Sequence, residues 1–299
     1  MILYFDHAEG PVFRPPSEAA SFILRVTIGC SHNACTFCNM YRSVAFRARP
    51  MHEIMDQIAA ARPYAQHIRR IFLADGNALV LATDKLLAIL RELAGSFPRL
   101  QRVSCYAGPK DILRKTPEEL AALREAGLKL VYFGLESGDD LVLKNINKGV
   151  SAAEAVAAGQ RIVAAGIKLS VMVILGLGGT ANSERHAQNT ALAINAIKPH
   201  MLGALTLMLY RGSELLAEFE RGSFVPLPPA GIMHELYAMI HAIDLPATNH
   251  CLFRSTHASN HIAFAATLPK DKEQLLADIK TAETKLSRIT NWDPYNNVE

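Results

Sequence analysis

Gly29-Cys30-Ser31-His32-Asn33-Ala34-Cys35-Thr36-Phe37-Cys38-Asn39-Met40-Tyr41 places three of the chain's five cysteines within nine residues. Their spacing is C-x4-C-x2-C, and an apolar run, Phe22–Ile28, leads straight into them as a strand would. A short loop holding three thiolates on one side can wrap a single metal centre. Cysteine thiolates are the ligands of iron–sulfur clusters, normally four for a [4Fe–4S] cube. Three close thiolates leave one iron open to bind something else. A zinc site competes, because Cys30, His32, Cys35 and Cys38 make a Cys3His donor set. One residue separates Cys30 from His32, which strains joint ligation, and Phe37 stands where zinc knuckles usually carry turn formers. The spacing favours iron–sulfur and leaves zinc as the alternative.

The rest of the chain bounds the setting. Half of the 299 residues are hydrophobic and 20% are charged, enough for one large α/β domain or two modest ones. The net charge of +3 is not gathered into tracts, so there is no electrostatic footprint for nucleic acid. Cysteines clustered in one loop argue against a secreted disulfide scaffold. Met1–Gly10 carries Asp6, His7 and Glu9 where a signal peptide needs an apolar core. The longest apolar run, Ile167–Gly179, contains Lys168 and is too short for a bilayer span. These features predict a soluble, cytoplasmic protein with neither nucleic acid nor membrane as partner.

Short β-branched runs alternate with longer Ala/Leu-rich periodic runs, the pattern of βα units in a parallel sheet. The predicted strands are Phe22–Ile28, Ile68–Ala74, Gln101–Tyr106, Leu128–Leu135, Lys168–Leu175 and Met201–Leu209. The predicted helices between them are Met51–Tyr64, Thr83–Phe97, Thr116–Ala126, Ser151–Ala165 and Asn182–Ile197. Thr83 and Thr116 read as N-caps, the second followed by Pro117 and by Glu119 at the capping-box position. Six strands and five helices predict an α/β fold, a partial (β/α)6 TIM-like barrel over residues 21–211. Residues 1–20 form a lead-in. Residues 212–299 form a C-terminal extension, packed on the barrel and contributing to the substrate side. Within it we expect a linker at Gly222–Pro229, a helix at Ala230–Ile243, an irregular polar stretch at Asn249–His261, and a charged helix at Lys270–Ile289. In barrels of βα units, chemistry sits at the carboxyl ends of the strands. Polar residues and glycines gather there: Cys30, Asp75-Gly76-Asn77, Tyr106-Ala107-Gly108, Glu136-Ser137-Gly138 and Gly176–Gly179.

With a cysteine loop after the first strand of such a barrel, the chain resembles the radical S-adenosylmethionine (SAM) superfamily. It is most similar to the branch of oxygen-independent coproporphyrinogen oxidases and the Elongator catalytic subunit. The resemblance covers about residues 20–210. It implies that Cys30, Cys35 and Cys38 hold a [4Fe–4S] cluster whose fourth iron is chelated by SAM, with Phe37 against the adenine. The family's usual spacing is C-x3-C-x2-C, so one extra residue lies between Cys30 and Cys35. The family's Gly-Gly-Glu segment corresponds to Ala74-Asp75-Gly76-Asn77, where backbone carbonyls plus Asp75 or Asn77 would receive the methionine amino group. Ser104 is placed to bond the SAM carboxylate. Gly134-Leu135-Glu136-Ser137-Gly138 resembles the ribose motif, and a carboxylate such as Glu136 is a natural acceptor for two vicinal hydroxyls. Lys148 stands where relatives carry a basic partner for the SAM carboxylate. Leu175 would flank the adenine, with backbone contacts from the segment beginning at Leu207.

The implied activity is reductive cleavage of SAM to a 5′-deoxyadenosyl radical that abstracts a hydrogen from an unidentified small or medium-sized substrate. A reductant such as flavodoxin or ferredoxin would supply the electron. Tyr106 at the barrel mouth and Arg254, His257 and Asn260 in the extension are the candidate substrate contacts. Two alternatives stand beside this reading. One is a heme- or tetrapyrrole-handling relative on the same scaffold; the other is a zinc-stabilised binding protein without redox chemistry.

Overall fold

A computed structural model describes residues 12–289 and 291–297. The first part of the lead-in, with the expected absence of a signal peptide at Met1–Gly10, lies outside the described residues, as do 298 and 299 of the tail. The strands are Phe22–Arg25 (β1), Thr27–Ile28 (β2), Arg47–Ala48 (β3), Arg70–Ala74 (β4), Arg102–Ala107 (β5), Leu128–Glu136 (β6), Lys168–Leu175 (β7), Met201–Thr206 (β8), Cys251–Arg254 (β9) and Ala265–Leu268 (β10). Eight of them form a sheet in the order β1-β4-β5-β6-β7-β8-β9-β10. The order is open rather than cyclic. The fold is α/β, with the six expected βα strands in sequence, as a partial (β/α)6 TIM-like barrel requires.

The chain forms two compact units. The first comprises the described part of Met1–Asn33, Met40–Phe133 and Arg161–Leu169. Within it β1, β4, β5 and most of β6 pair in parallel, with Leu24 opposite Leu73, Ile71 opposite Val103 and Cys105 opposite Val131. Strands covered on both faces read as near-continuous apolar runs, and all four residues of β1 are buried. The single strand expected at Phe22–Ile28 is divided. At Val26 the amide goes to the Ala74 carbonyl and the carbonyl takes the Arg49 amide; Thr27–Ile28 then pairs antiparallel with Arg47–Ala48. The helices Met51–Ala61, Thr83–Ser96 and Pro117–Glu125 fall where their periodicity put them. Thr116 completes the expected capping box with Glu119. Thr83 does not cap: the cap position is Ala82, and the Thr83 hydroxyl accepts from Lys115 Nζ at 3.3 Å instead.

The second unit comprises Ala34–Asn39, Gly134–Gln160 and Ser170–Glu299, described to residue 297. Here β7 and β8 are parallel, with Val173 opposite Ala204. The helix Gly179–Ile197 starts three residues before the expected Asn182, because glycines carry little helical signal of their own. The stretch Asn249–His261 is not irregular throughout. Cys251–Arg254 alternates buried and exposed side chains, pairs in parallel with β8, and carries β10 antiparallel on its other edge. The residues after 211 therefore extend the sheet rather than only covering it. Among the described residues no helix is long and apolar enough to cross a membrane.

Candidate cluster and nucleoside site

In the first unit the backbone around Cys30 is tied to the end of β4. Arg25 is a lone charge inside an apolar run. Its guanidinium pairs with Asp75 Oδ2 through Nη2 at 2.6 Å and Nε at 3.2 Å, the side chains being 1% and 0% exposed. The same carboxylate oxygen accepts the Gly29 amide at 3.3 Å, and the Gly76 amide donates to the Gly29 carbonyl at 3.1 Å. Burial pushes the Asp75 carboxyl toward its neutral form, and Arg25 acts against that. Tyr41, buried beside Asp75, keeps its hydroxyl protonated well above the ordinary phenol range. Asn77 then clamps Ser31: Oδ1 accepts the Ser31 amide at 3.1 Å and Nδ2 donates to Ser31 Oγ at 2.5 Å. Nδ2 also donates to Asp111 Oδ2.

Gly76 matters for the space it leaves. A Cβ there would stand 2.9 Å from Cys30 Cβ and 3.0 Å from its Cα, inside any real contact. Only glycine allows this approach. Gly76→Ala is therefore expected to push the Cys30 backbone out of place. Iron retained after anaerobic reconstitution should fall severalfold while far-ultraviolet dichroism stays unchanged; full iron retention would show that the loop yields freely.

Ser104 is wholly buried in β5, and its hydroxyl donates to the Ile71 carbonyl at 3.3 Å. Tyr106 sits edge-on to Phe72 and Tyr132, with centroids 5.1 and 6.0 Å away. His32 lies partly exposed in the loop.

In the second unit Cys35 and Cys38 lie on a tight turn, the Cys38 amide donating to the Cys35 carbonyl at 3.2 Å. Thr36 anchors it on both sides: its amide reaches the Ile146 carbonyl at 2.9 Å and its carbonyl takes the Leu215 amide at 3.1 Å. Phe37 packs on an apolar cluster that includes Leu177, Leu207 and Leu215. The Leu207 amide donates to the Leu175 carbonyl at 2.9 Å, which joins the ends of β7 and β8. Glu136 closes β6 with φ +62°, and Lys148 Nζ bonds its Oε1 at 2.9 Å, each side chain 13% exposed. A Cβ on Gly134 would fall against that oxygen, so the carboxylate takes this position over a glycine.

The extension's candidates serve β8 and its neighbours. Asn260 accepts from Thr206 Oγ1 at 2.9 Å and donates to the Ala204 carbonyl at 3.0 Å. His257 Nδ1 meets Ser259 Oγ at 2.9 Å, and Ser259 Oγ accepts the Thr206 amide. Arg254 Nη1 bonds the Phe253 and Ala266 carbonyls at 2.6 and 3.1 Å.

The five thiols divide by environment. Burial pushes Cys105 and Cys251 each up to about 12, which keeps them protonated and inert. Cys30, Cys35 and Cys38 are partly exposed. Metal-free folded protein should therefore react with Ellman's reagent at three thiols rapidly and at all five after unfolding. Five fast thiols in the native protein would contradict the burial of the other pair.

Two further residues carry this arrangement without having been singled out in the sequence. Arg25 announced itself as a charge in an apolar strand. Thr36, whose buried Oγ1 has no hydrogen-bond partner, gave no signal. Among the described residues, no three His, Cys, Asp or Glu side chains already converge as a metal site. What suits a cluster is the donor set of three cysteines and the backbone cradle that Gly76 leaves against Cys30.

The Radical SAM superfamily profile matches residues 24–188. The heme chaperone HemW of Bacillus subtilis (strain 168) is 23% identical over 178 residues, which is 56% of this chain and 46% of that protein. The chain thus spans about half the length of this curated relative. Methylornithine synthase PylB superposes with a TM-score of 0.53 at 14% identity, covering 87% of this chain and 84% of PylB. Elp3 of Methanocaldococcus infernus superposes with a TM-score of 0.52 at 14% identity, covering 79% of this chain and 61% of that one. At these identities the structural likeness speaks for the fold, while the profile spans more than half the chain and includes all three loop cysteines. The protein belongs to the radical SAM superfamily.

Proposed function

We propose that this protein is an enzyme that cleaves SAM reductively at a [4Fe–4S] cluster held by Cys30, Cys35 and Cys38, and takes a hydrogen from a small or medium-sized substrate. The observation that carries the reading is the tie between the Cys30 loop and the end of β4. Asp75, Gly76 and Asn77, which the resemblance aligns with the family's amino-group segment, hold Gly29 and Ser31 on either side of Cys30. When bound, the cluster supplies a low-potential electron and an open iron for the amino-acid end of SAM.

The chain's own residues do the orienting. Asp75 Oδ2 and both ends of the Asn77 amide have partners in the fold, while Asp75 Oδ1 has none among the described residues, so backbone carbonyls of Ala74–Asn77 together with Asp75 or Asn77 accept the ammonium of SAM. Lys148, ion-paired with Glu136, pairs with the SAM carboxylate, and Glu136 takes the ribose diol. For Ser104 to add its hydroxyl on the carboxylate side, that hydroxyl has to turn from the Ile71 carbonyl to which it donates. Phe37 and Leu175 flank the adenine, and the backbone from Leu207 meets its amino edge. Tyr106, Arg254, His257 and Asn260 are the candidate substrate contacts in this reading. The electron comes from a small carrier such as flavodoxin or ferredoxin.

Anaerobically reconstituted protein, given dithionite and SAM, should release 5′-deoxyadenosine, detected by liquid chromatography. Protein that binds zinc in place of iron, or an intact cluster that leaves SAM whole, would overturn the reading. A second reading is favoured by the similarity to HemW: a heme-handling member of the superfamily. Heme titration separates the two, since a saturable Soret shift would support it.

A further inference from the structure

Glu136 occupies the left-handed region of backbone space, which non-glycine residues avoid unless their surroundings hold them there. The three residues that follow it are held by one face of the helix Gly179–Ile197. Asp139 accepts from Arg185 Nη2 at 3.0 Å and from Asn189 Nδ2 at 2.6 Å. The Gly138 amide donates to Thr190 Oγ1 at 2.9 Å, and Ser137 Oγ meets His186 Nδ1 at 2.8 Å. Positions 185, 186, 189 and 190 share a helical face, so a single element grips the whole turn.

His186 is the centre of this grip and is fully buried. Its Nε2 faces only acceptors, the Ile174 carbonyl at 3.1 Å and Glu235 Oε1 at 3.7 Å. In a neutral ring the proton therefore belongs on Nε2, and Nδ1 accepts from Ser137 Oγ. That hydroxyl can then accept the Asp139 amide, which lies 3.0 Å away. Glu235 is engaged as well, taking the Gly176 amide and Ser183 Oγ at 2.6 Å each. One imidazole thus links the turn after Glu136 to the end of β7 at Ile174–Gly176.

We propose that His186 is a positioning residue for the nucleoside. It locks Glu136–Asp139 against Ile174–Gly176, so that the Glu136 carboxylate meets the ribose diol in one fixed geometry. The proposal rests on the reading of Glu136 as the ribose acceptor. Replacing the imidazole by a group without hydrogen bonds should loosen that carboxylate, leaving the cluster and the methionine end of SAM unaffected.

The test is equilibrium dialysis of reconstituted, unreduced protein against SAM and against its 2′,3′-dideoxy analogue, with iron content and Tm recorded for each variant. Wild type should prefer SAM. His186→Leu should bind SAM about tenfold more weakly and the analogue unchanged, so that the preference disappears. His186→Gln supplies one donor and one acceptor and should restore it. If His186→Leu lowers iron content or Tm, Ser137→Ala removes the Nδ1 partner together with the acceptor of the Asp139 amide, leaves Asp139 held by Arg185 and Asn189, and is read by the same preference. A variant that keeps wild-type preference with intact cluster overturns the positioning role alone. Wild type that does not distinguish the two ligands, together with an indifferent Glu136→Gln, overturns the ribose reading and the proposal with it.

Discussion

Cys38→Ala, reconstituted under strict anaerobiosis, is expected to retain the fold of the parent and to lose iron–sulfur absorption and SAM cleavage entirely. Two thiolates cannot replace three in holding a cube that already has one corner without a protein ligand. Cys38 lies in a partly exposed turn whose hydrogen bonds are made by backbone, so the substitution removes a ligand and little packing. The same result is expected at Cys30 and Cys35. Cys105→Ala is the control. That thiol is 1% exposed in the core, so its removal should cost stability while the cluster still assembles. Iron analysis, visible absorption and 5′-deoxyadenosine release decide the matter together. A Cys38→Ala protein with its full complement of iron would remove Cys38 from the ligand set.

Asp75→Ala should produce the largest loss of stability among single changes near the site, about 3–5 kcal/mol in urea unfolding. It leaves the Arg25 guanidinium charged and buried without its carboxylate, and removes the acceptor of the Gly29 amide. The penalty of an uncompensated buried charge exceeds that of the missing volume. Asp75→Asn retains an oxygen for Gly29 and should fall between. Replacing both partners, Arg25→Met with Asp75→Leu, should recover much of the stability, because the pair repays its own desolvation poorly. It should not recover cluster retention, since Gly29 next to Cys30 still lacks its anchor. A loss below about 1 kcal/mol for Asp75→Ala would mean that water reaches Arg25 and the pair behaves as an exposed one.

The two variants divide the site by function. In the proposed reading Cys38 contributes a ligand and little of the fold, whereas Asp75 contributes fold and holds the approach to Cys30. That difference was invisible in the sequence, where Asp75 reads as a replacement in the family's amino-group segment. Its partner Arg25 lies fifty residues earlier. Likewise Glu136 and Lys148 were legible as candidates from their order, but their mutual ion pair was not.

The order of strands and helices, the Thr116 capping box and the cysteine loop could be read from the chain alone. Each depends on residues within a few positions of one another, through periodicity, turn chemistry or ligand spacing. Tertiary structure decided the rest. It split the first strand at Val26, turned Cys251–Arg254 into a sheet strand, and assigned Thr83 to Lys115 rather than to its own helix. It also engaged Asp75 and Asn77 around Cys30. In each case a buried polar group or an open strand edge required a hydrogen-bond partner, and the partner that satisfied it lay far away in the sequence.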